Sequence, residues 1–174
     1  MGYTIKDFID SNKFPGMKLI SVNSGINREI RGVRIIVAPN MEKFLGGGEL
    51  LLTSMRVYEA TEEDAFLYHL KEFDKKQVSG FIVKCYQRTE HLKRLFDILM
   101  EFSQEHHLPV IEIPENLYFW KIIKYIVLQL CDIETAKLKY FKMTHDNLSN
   151  ILLNVIDSRE SIERILFLIS TMLG

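Results

Sequence analysis

The sequence predicts an α/β fold in which a mainly parallel sheet with flanking helices is followed by a long carboxyl-terminal helix. Three observations carry this expectation. Strand-like and helix-like segments alternate between Thr61 and Ile113, strands such as Phe81-Ile82-Val83 are apolar at every position, and Leu117 to Asp157 contains neither glycine nor proline. Parallel strands need crossover connections, and crossover helices bury both faces of the sheet, which accounts for strands that do not alternate.

Each element follows in order. Thr4 and Asp7 have capping-box spacing, and Ile5, Phe8 and Ile9 lie on one helical face, so a short helix opens the chain and stops at Pro15-Gly16. Three segments rich in Val, Ile and Leu, namely Lys18 to Val22, Arg31 to Ala38 and Glu49 to Ser54, are separated by glycine-containing stretches and read as strands. Thr61 and Asp64 form a second capping pair ahead of a helix carrying Phe66, Leu67, Leu70 and Phe73. Gly80 to Lys84 is a strand. Thr89 caps a helix carrying Leu92, Leu95, Phe96, Leu99 and Phe102, and Pro109 to Ile113 forms the last strand.

Good helix formers dominate from Leu117 to Asp157, so one long helix is expected there. Within it Val127, Cys131, Glu134, Leu138, Phe141, His145, Leu148, Leu152 and Val155 recur at alternating spacings of four and three, the seam of a dimeric coiled coil. Glu134 and His145 make that seam imperfect, and packing of the helix on its own or a later domain is the alternative. The apolar stretch Ser161 to Gly174 reads as the start of a further, truncated domain. The expected organisation is a regulatory domain over residues 1–116, a linker and dimerisation helix over 117–157, and the truncated start over 158–174.

Composition excludes several classes of function. Twenty-two basic against twenty-three acidic residues leave a formal charge of −1, without the basic footprint of a nucleic-acid-binding surface. Cys85 and Cys131 have no partner at zinc-site or disulfide-framework spacing, which fits a reducing cytoplasmic setting. No apolar run is long enough to span a bilayer, and Met1 to Asp10 lacks the order of a signal peptide. His69, His91 and His145 are scattered, and neither a Gly-x-Ser-x-Gly elbow nor a His-Glu-x-x-His pair is present, so no catalytic role and no cofactor are expected. His106-His107 stand at a helix end, where the dipole favours an imidazolium, without convergent partners for a metal.

Ligands of parallel α/β sheets collect outside the carboxyl ends of the strands. That rule selects Thr53, Ser54, Lys84, Cys85 and Glu112 as candidates to hold a small polar metabolite. The alternative is that Thr53 and Ser54 merely terminate strand pairing while Lys84 and Glu112 are solvated. Gly46-Gly47-Gly48 offers backbone N–H groups to an anion but lacks the ending of a phosphate loop, so a plain turn is the stronger reading. Arg28, Arg31 and Arg34 form a basic concentration that suits an oxyanion clamp or solvated strand edges.

Gly25-Ile26-Asn27-Arg28, Gly47-Gly48-Glu49-Leu50-Leu51-Leu52-Thr53-Ser54 and Leu108-Pro109-Val110-Ile111-Glu112-Ile113-Pro114 occur in an order that resembles the amino-terminal domain of the PucR-type (purine catabolism regulator-like) transcription regulators. The resemblance runs from about Thr4 to Leu130, and His145 to Leu173 resembles the family's linker. Met55 and Cys85 stand where the family often has glycine, and Ser103 where alanine is usual. The resemblance implies a ligand-sensing or dimerising domain that controls a catabolic operon. It adds Arg28, Gly48 and Glu49 to the candidate ligand residues. DNA would be contacted by a helix-turn-helix outside these residues. The alternatives are a pure dimerisation module, or an accessory domain of an enzyme similar to HPr kinases or Mur ligases. The expected partners are a second copy of the chain and a small polar metabolite, with no membrane.

Overall fold

The computed structural model describes residues 2–22, 25–84, 89–154, 166–167 and 169–171, with the side chains of 148–154 left out. Its elements are α1 (Ile5–Asp10), β1 (Lys18–Leu19), β2 (Gly32–Ile35), β3 (Glu49–Thr53), α2 (Glu63–Lys75), β4 (Gly80–Val83), α3 (Glu90–His106), β5 (Val110–Glu112) and α4 (Phe119–Asn154). Single 3-10 turns at Met41–Phe44 and Arg56–Tyr58 fill the loops flanking β3. The chain divides into two compact units, Met1–Leu130 and Cys131–Gly174.

The first unit holds one five-stranded sheet in the order β1-β5-β4-β3-β2. Strands β2 to β5 are parallel, with Val33 opposite Leu50, Leu51 opposite Phe81, and Phe81 opposite Val110. β1 closes the far edge antiparallel to β5, pairing Lys18 with Glu112. It is shorter than its sequence suggests because Ser21 takes over the pairing. The Ser21 hydroxyl accepts a hydrogen bond from Val110 N–H at 3.0 Å, while the N–H of Ile20 donates to Val110 O at 2.9 Å. A side chain thus replaces the next rung of the ladder.

All residues of β3 and β4 are buried, as continuous apolar strands require. Leu51, Phe81, Val83 and Val110 pack into one cluster with Phe66, Leu70 and Phe73 of α2 and Leu92, Leu95, Leu99 and Phe102 of α3. Both crossover helices therefore cover the same face, as two crossovers of one hand stepping in one direction must. Leu50, Leu52, Ile82 and Ile111 point to the other face and are equally buried, together with Ile5 and Phe8 of α1 and Ile122 and Ile126 of α4. Phe8, Phe14 and Tyr125 form an aromatic group there, with ring centroids 5.6–6.3 Å apart.

Local signals are kept at two helix starts and changed at a third. Thr4 and Asp7 form the capping box, since the N–H of Thr4 donates to Asp7 Oδ2 at 2.9 Å and the N–H of Asp7 to Thr4 Oγ1 at 3.2 Å. Thr89 accepts from Leu92 N–H at 3.2 Å and caps α3. The expected Thr61–Asp64 pair does not cap α2. Thr61 N–H is drawn back to Tyr58 O at 2.8 Å, and the helix starts at Glu63 with Glu62 as its cap residue.

Met55 has a left-handed backbone, φ 61°, while its side chain is only 3% exposed in the core. Glycine at this position would relieve about 1–2 kcal/mol of backbone strain. Loss of a buried methionine side chain costs about 2–5 kcal/mol, so burial wins. Met55→Gly is expected to lower stability by about 1–3 kcal/mol in urea unfolding; a more stable variant would show that strain dominates. The capping box gives a second expectation. The Thr4 hydroxyl holds the Asp7 carboxyl below its usual pKa, so this stabilisation is present above the unfolded value of about 3.9 and is lost as pH falls below it. Thr4→Ala should cost about 0.5–2 kcal/mol at neutral pH. The difference from wild type should shrink in acid-unfolding curves.

Candidate functional site

The candidate residues fall at opposite edges of the sheet. Thr53, Ser54, Lys84 and Glu112 lie at or just beyond the carboxyl ends of β3, β4 and β5, whereas Arg28, Gly48 and Glu49 lie at the amino-terminal edge. Cys85 lies outside the described residues. Metal ligation is a separate matter: among the described residues, no group of His, Cys, Asp and Glu is arranged to hold an ion.

At the carboxyl edge the polar groups are largely engaged by the protein. Thr53 is buried, and its hydroxyl accepts from Met55 N–H at 3.0 Å, which supports the left-handed turn that leaves β3. Lys84 Nζ donates to Glu115 O at 2.9 Å and stands over the Phe119 ring at 5.1 Å, tying the end of β4 to the entry of α4. Ser54 and Lys84 share a cavity of about 270 Å³ with Arg56 and Glu115. Glu112 lines a separate cavity of about 170 Å³ beside Lys18 and Pro114. The physical reason for this division is topological. A binding crevice opens where strand order reverses and successive crossovers leave to opposite faces. Here β2, β3, β4 and β5 follow one another across the sheet without reversal.

The amino-terminal edge is organised around two charged side chains. Glu49, at the start of β3, is buried, and its carboxylate accepts from Gly46 N–H at 2.7 Å and Gly47 N–H at 2.8 Å, with Arg34 Nε 3.9 Å away. The glycine loop is an anion receptor, and the anion is the chain's own carboxylate. Gly48 has φ +80°, and a Cβ there would stand 2.9 Å from the Arg31 side chain, so any other residue would be strained and would displace Arg31.

Arg28 performs a related task for the helices. Its Nη1 donates to Val78 O at 2.8 Å and its Nη2 to His106 O at 3.2 Å, with Asp74 Oδ1 at 3.8 Å. A cation thus meets carbonyls that follow α2 and end α3, where the helix dipoles are negative. His106 completes the cluster, with Nδ1 3.0 Å from Asp74 Oδ2 and its ring stacked on Phe102 at 4.0 Å. Gly25 makes this possible because it is left-handed, φ +81°, and packs so closely that a Cβ would collide with the carbonyl oxygen of His107. The Gly25-to-Arg28 and Gly47-to-Glu49 motifs thus hold the amino-terminal edge together through these contacts.

Between these two anchors lies a pocket of about 460 Å³ lined by Arg28, Glu29, Arg31, Gly46, Gly47, Gly48, Lys76, Gln77 and Ser79. Sequence reasoning missed Lys76, Gln77 and Ser79. They lie in the loop between α2 and β4 and have no motif of their own; only the fold brings them beside Arg28 and Arg31.

The anchoring role of Glu49 can be measured. Hydrogen bonds to a charged group contribute about 1.5–3 kcal/mol, so Glu49→Gln should lower stability by about that amount. Glu49→Ala should cost more, because two buried N–H groups lose their acceptor. Unchanged unfolding midpoints for both variants would show that the loop holds itself.

Comparison with known proteins follows the same residues. The chain matches the family model described as purine catabolism regulatory protein-like (PucR) over residues 7–130, more than half its length. It is 23% identical over 151 residues to the purine catabolism regulatory protein of Bacillus subtilis (strain 168), an alignment covering 86% of this chain and 28% of that relative. The chain thus spans less than a third of the length of the curated relative it matches. Because the match takes in the Gly25-to-Arg28 turn, the Glu49 loop and the Leu108-to-Pro114 strand together, the chain belongs to the purine catabolism regulatory protein-like family.

Proposed function

We propose that this chain is the amino-terminal, effector-responsive and dimerising part of a bacterial transcription regulator that controls a catabolic operon, with purine breakdown the leading candidate. The family match over residues 7–130 carries this reading. The name of the Bacillus relative supplies the link to purine catabolism. With a formal charge of −1 the chain is poorly suited to grip DNA, so promoter contact is assigned to a helix-turn-helix outside these residues, and the working compartment to the cytoplasm. No described helix is long and apolar enough to cross a membrane.

Dimerisation is assigned to α4. Of its expected seam, Val127 is 43% exposed, Leu138 67% and Phe141 58%, and Cys131, Glu134 and His145 are exposed as well. The side chains of Leu148 and Leu152, and the whole of Val155, lie outside the described residues. One position earlier on the helix Ile126 and Thr144 are buried and Leu130 and Ile133 half-buried, while Lys137 and Tyr140 are exposed. Leu128, Tyr140 and Met143 are also exposed, so exposure favours a partner for α4 while the heptad spacing picks the face.

Burial of each seam leucine or phenylalanine between two chains contributes about 1.5–3 kcal/mol. The 174-residue chain is therefore expected to sediment as a dimer, and Leu138→Glu with Phe141→Glu to shift it to monomer without loss of helix content. Sedimentation as a monomer in the unmutated chain would remove the dimer role. A gel shift with sequence preference from these residues alone would overturn the assignment of DNA contact elsewhere.

A further inference from the structure

The pocket at the amino-terminal edge of the sheet carries an unbalanced charge. Its wall holds the guanidinium groups of Arg28 and Arg31 and the ammonium of Lys76 against one carboxylate, Glu29, which pairs with Arg31 Nε at 3.0 Å. Arg28 spends its charge on helix-end carbonyls and Asp74. Arg31 has only its Nε in that pair, which leaves the rest of its fork for a second acceptor. Lys76 is exposed, and its ammonium has no partner among the described residues.

A second, independent feature lies in the same wall. Ser79 is 1% exposed, and its hydroxyl has no hydrogen-bond partner among the described residues. A buried hydroxyl without a partner is costly, and such groups in native structures call for an explanation such as a missing ligand. The neighbouring glycine loop does not supply it, because the Gly46 and Gly47 N–H groups are occupied by Glu49.

We propose that this pocket binds a small metabolite bearing an oxyanion, which lies between Arg31 and Lys76 while a further hydrogen-bonding group of the same molecule satisfies Ser79. This names a ligand class and a place for the sensory role proposed above, and rests on that role for its purpose. The cavity of about 460 Å³ suits a metabolite-sized ligand. Arginine's planar fork matches carboxylate or phosphate, and lysine adds a point charge. Arg28, in the same wall, connects the pocket to the carboxyl-terminal end of α3 and to the Val78 carbonyl in the loop that follows α2.

The test uses the 174-residue chain titrated with succinate and, separately, with inorganic phosphate, at ionic strength matched by sodium chloride and with succinamide as the neutral control. A saturable rise in Tm with either anion and none with succinamide is expected, and the anion that works distinguishes a carboxylate from a phosphorylated metabolite. Lys76→Gln and Arg31→Gln, both at exposed positions, should each weaken binding about tenfold. Ser79→Ala removes an unpartnered hydroxyl, so it should fold normally and weaken binding as well. The proposal falls if neither anion gives a saturable rise above matched chloride, or if binding persists in the Lys76→Gln, Arg31→Gln double variant. A full-length regulator that still answers its effector with these two substitutions would sink the pocket and leave the regulator reading intact, whereas saturable binding by a chain that regulates no promoter would do the reverse.

Discussion

Two-sided burial of β3 and β4 is the constraint on which the first unit depends. Leu51 and Phe81 face one layer of helices, and Leu50, Leu52 and Ile82 face the other, all close to fully buried. A parallel sheet cannot leave either face to water with such strands, so α2 and α3 must cover one side and α1 with the start of α4 the other. That requirement makes α4 part of the domain at Ile122 and Ile126 before the helix continues beyond it.

Covering the sheet creates a second problem at its amino-terminal edge. There the carboxyl ends of α2 and α3 bring unsatisfied carbonyls and negative dipole ends to the same place where the turns into β3, β4 and β5 gather. Arg28 meets the helix ends and Glu49 meets the N–H groups of the glycine loop, so opposite charges resolve opposite deficits a few residues from each other in the fold. Both side chains are held by backbone partners. Walls held in this way would lower the ordering cost of binding for the ligand proposed there.

The opposite edge is built from the same elements to another end. The Thr53 hydroxyl and the Lys84 ammonium each serve the chain's own turns, the first by supporting left-handed Met55 and the second by holding the approach to α4. Hydroxyls and ammonium groups at strand ends are as useful for closing a fold as for holding a metabolite. Their chemistry does not tell the two uses apart.

Much of the architecture could be read from the residues in order. The Thr4 and Thr89 caps, the amphipathic faces of α2 and α3, the apolar runs of β3 and β4 and the glycine-free stretch of α4 are local patterns, each decided by neighbours within a turn or a pleat. Even so, Thr61 yielded its capping role to a contact with Tyr58, because a nearby turn competed for the same N–H. The candidate site was only partly legible. Arg28, Gly48 and Glu49 stand in the family's motifs, but Lys76 and Ser79 join them solely because strand order sets β3 beside β4 and returns the end of α2 to the start of both. By itself the sequence determined element types, the α/β class and the charge inventory, since those depend on periodicity and composition. The tertiary structure decided which edge gathers cations and a hydroxyl unpartnered among the described residues, because adjacency across a sheet is a long-range property that no local pattern encodes.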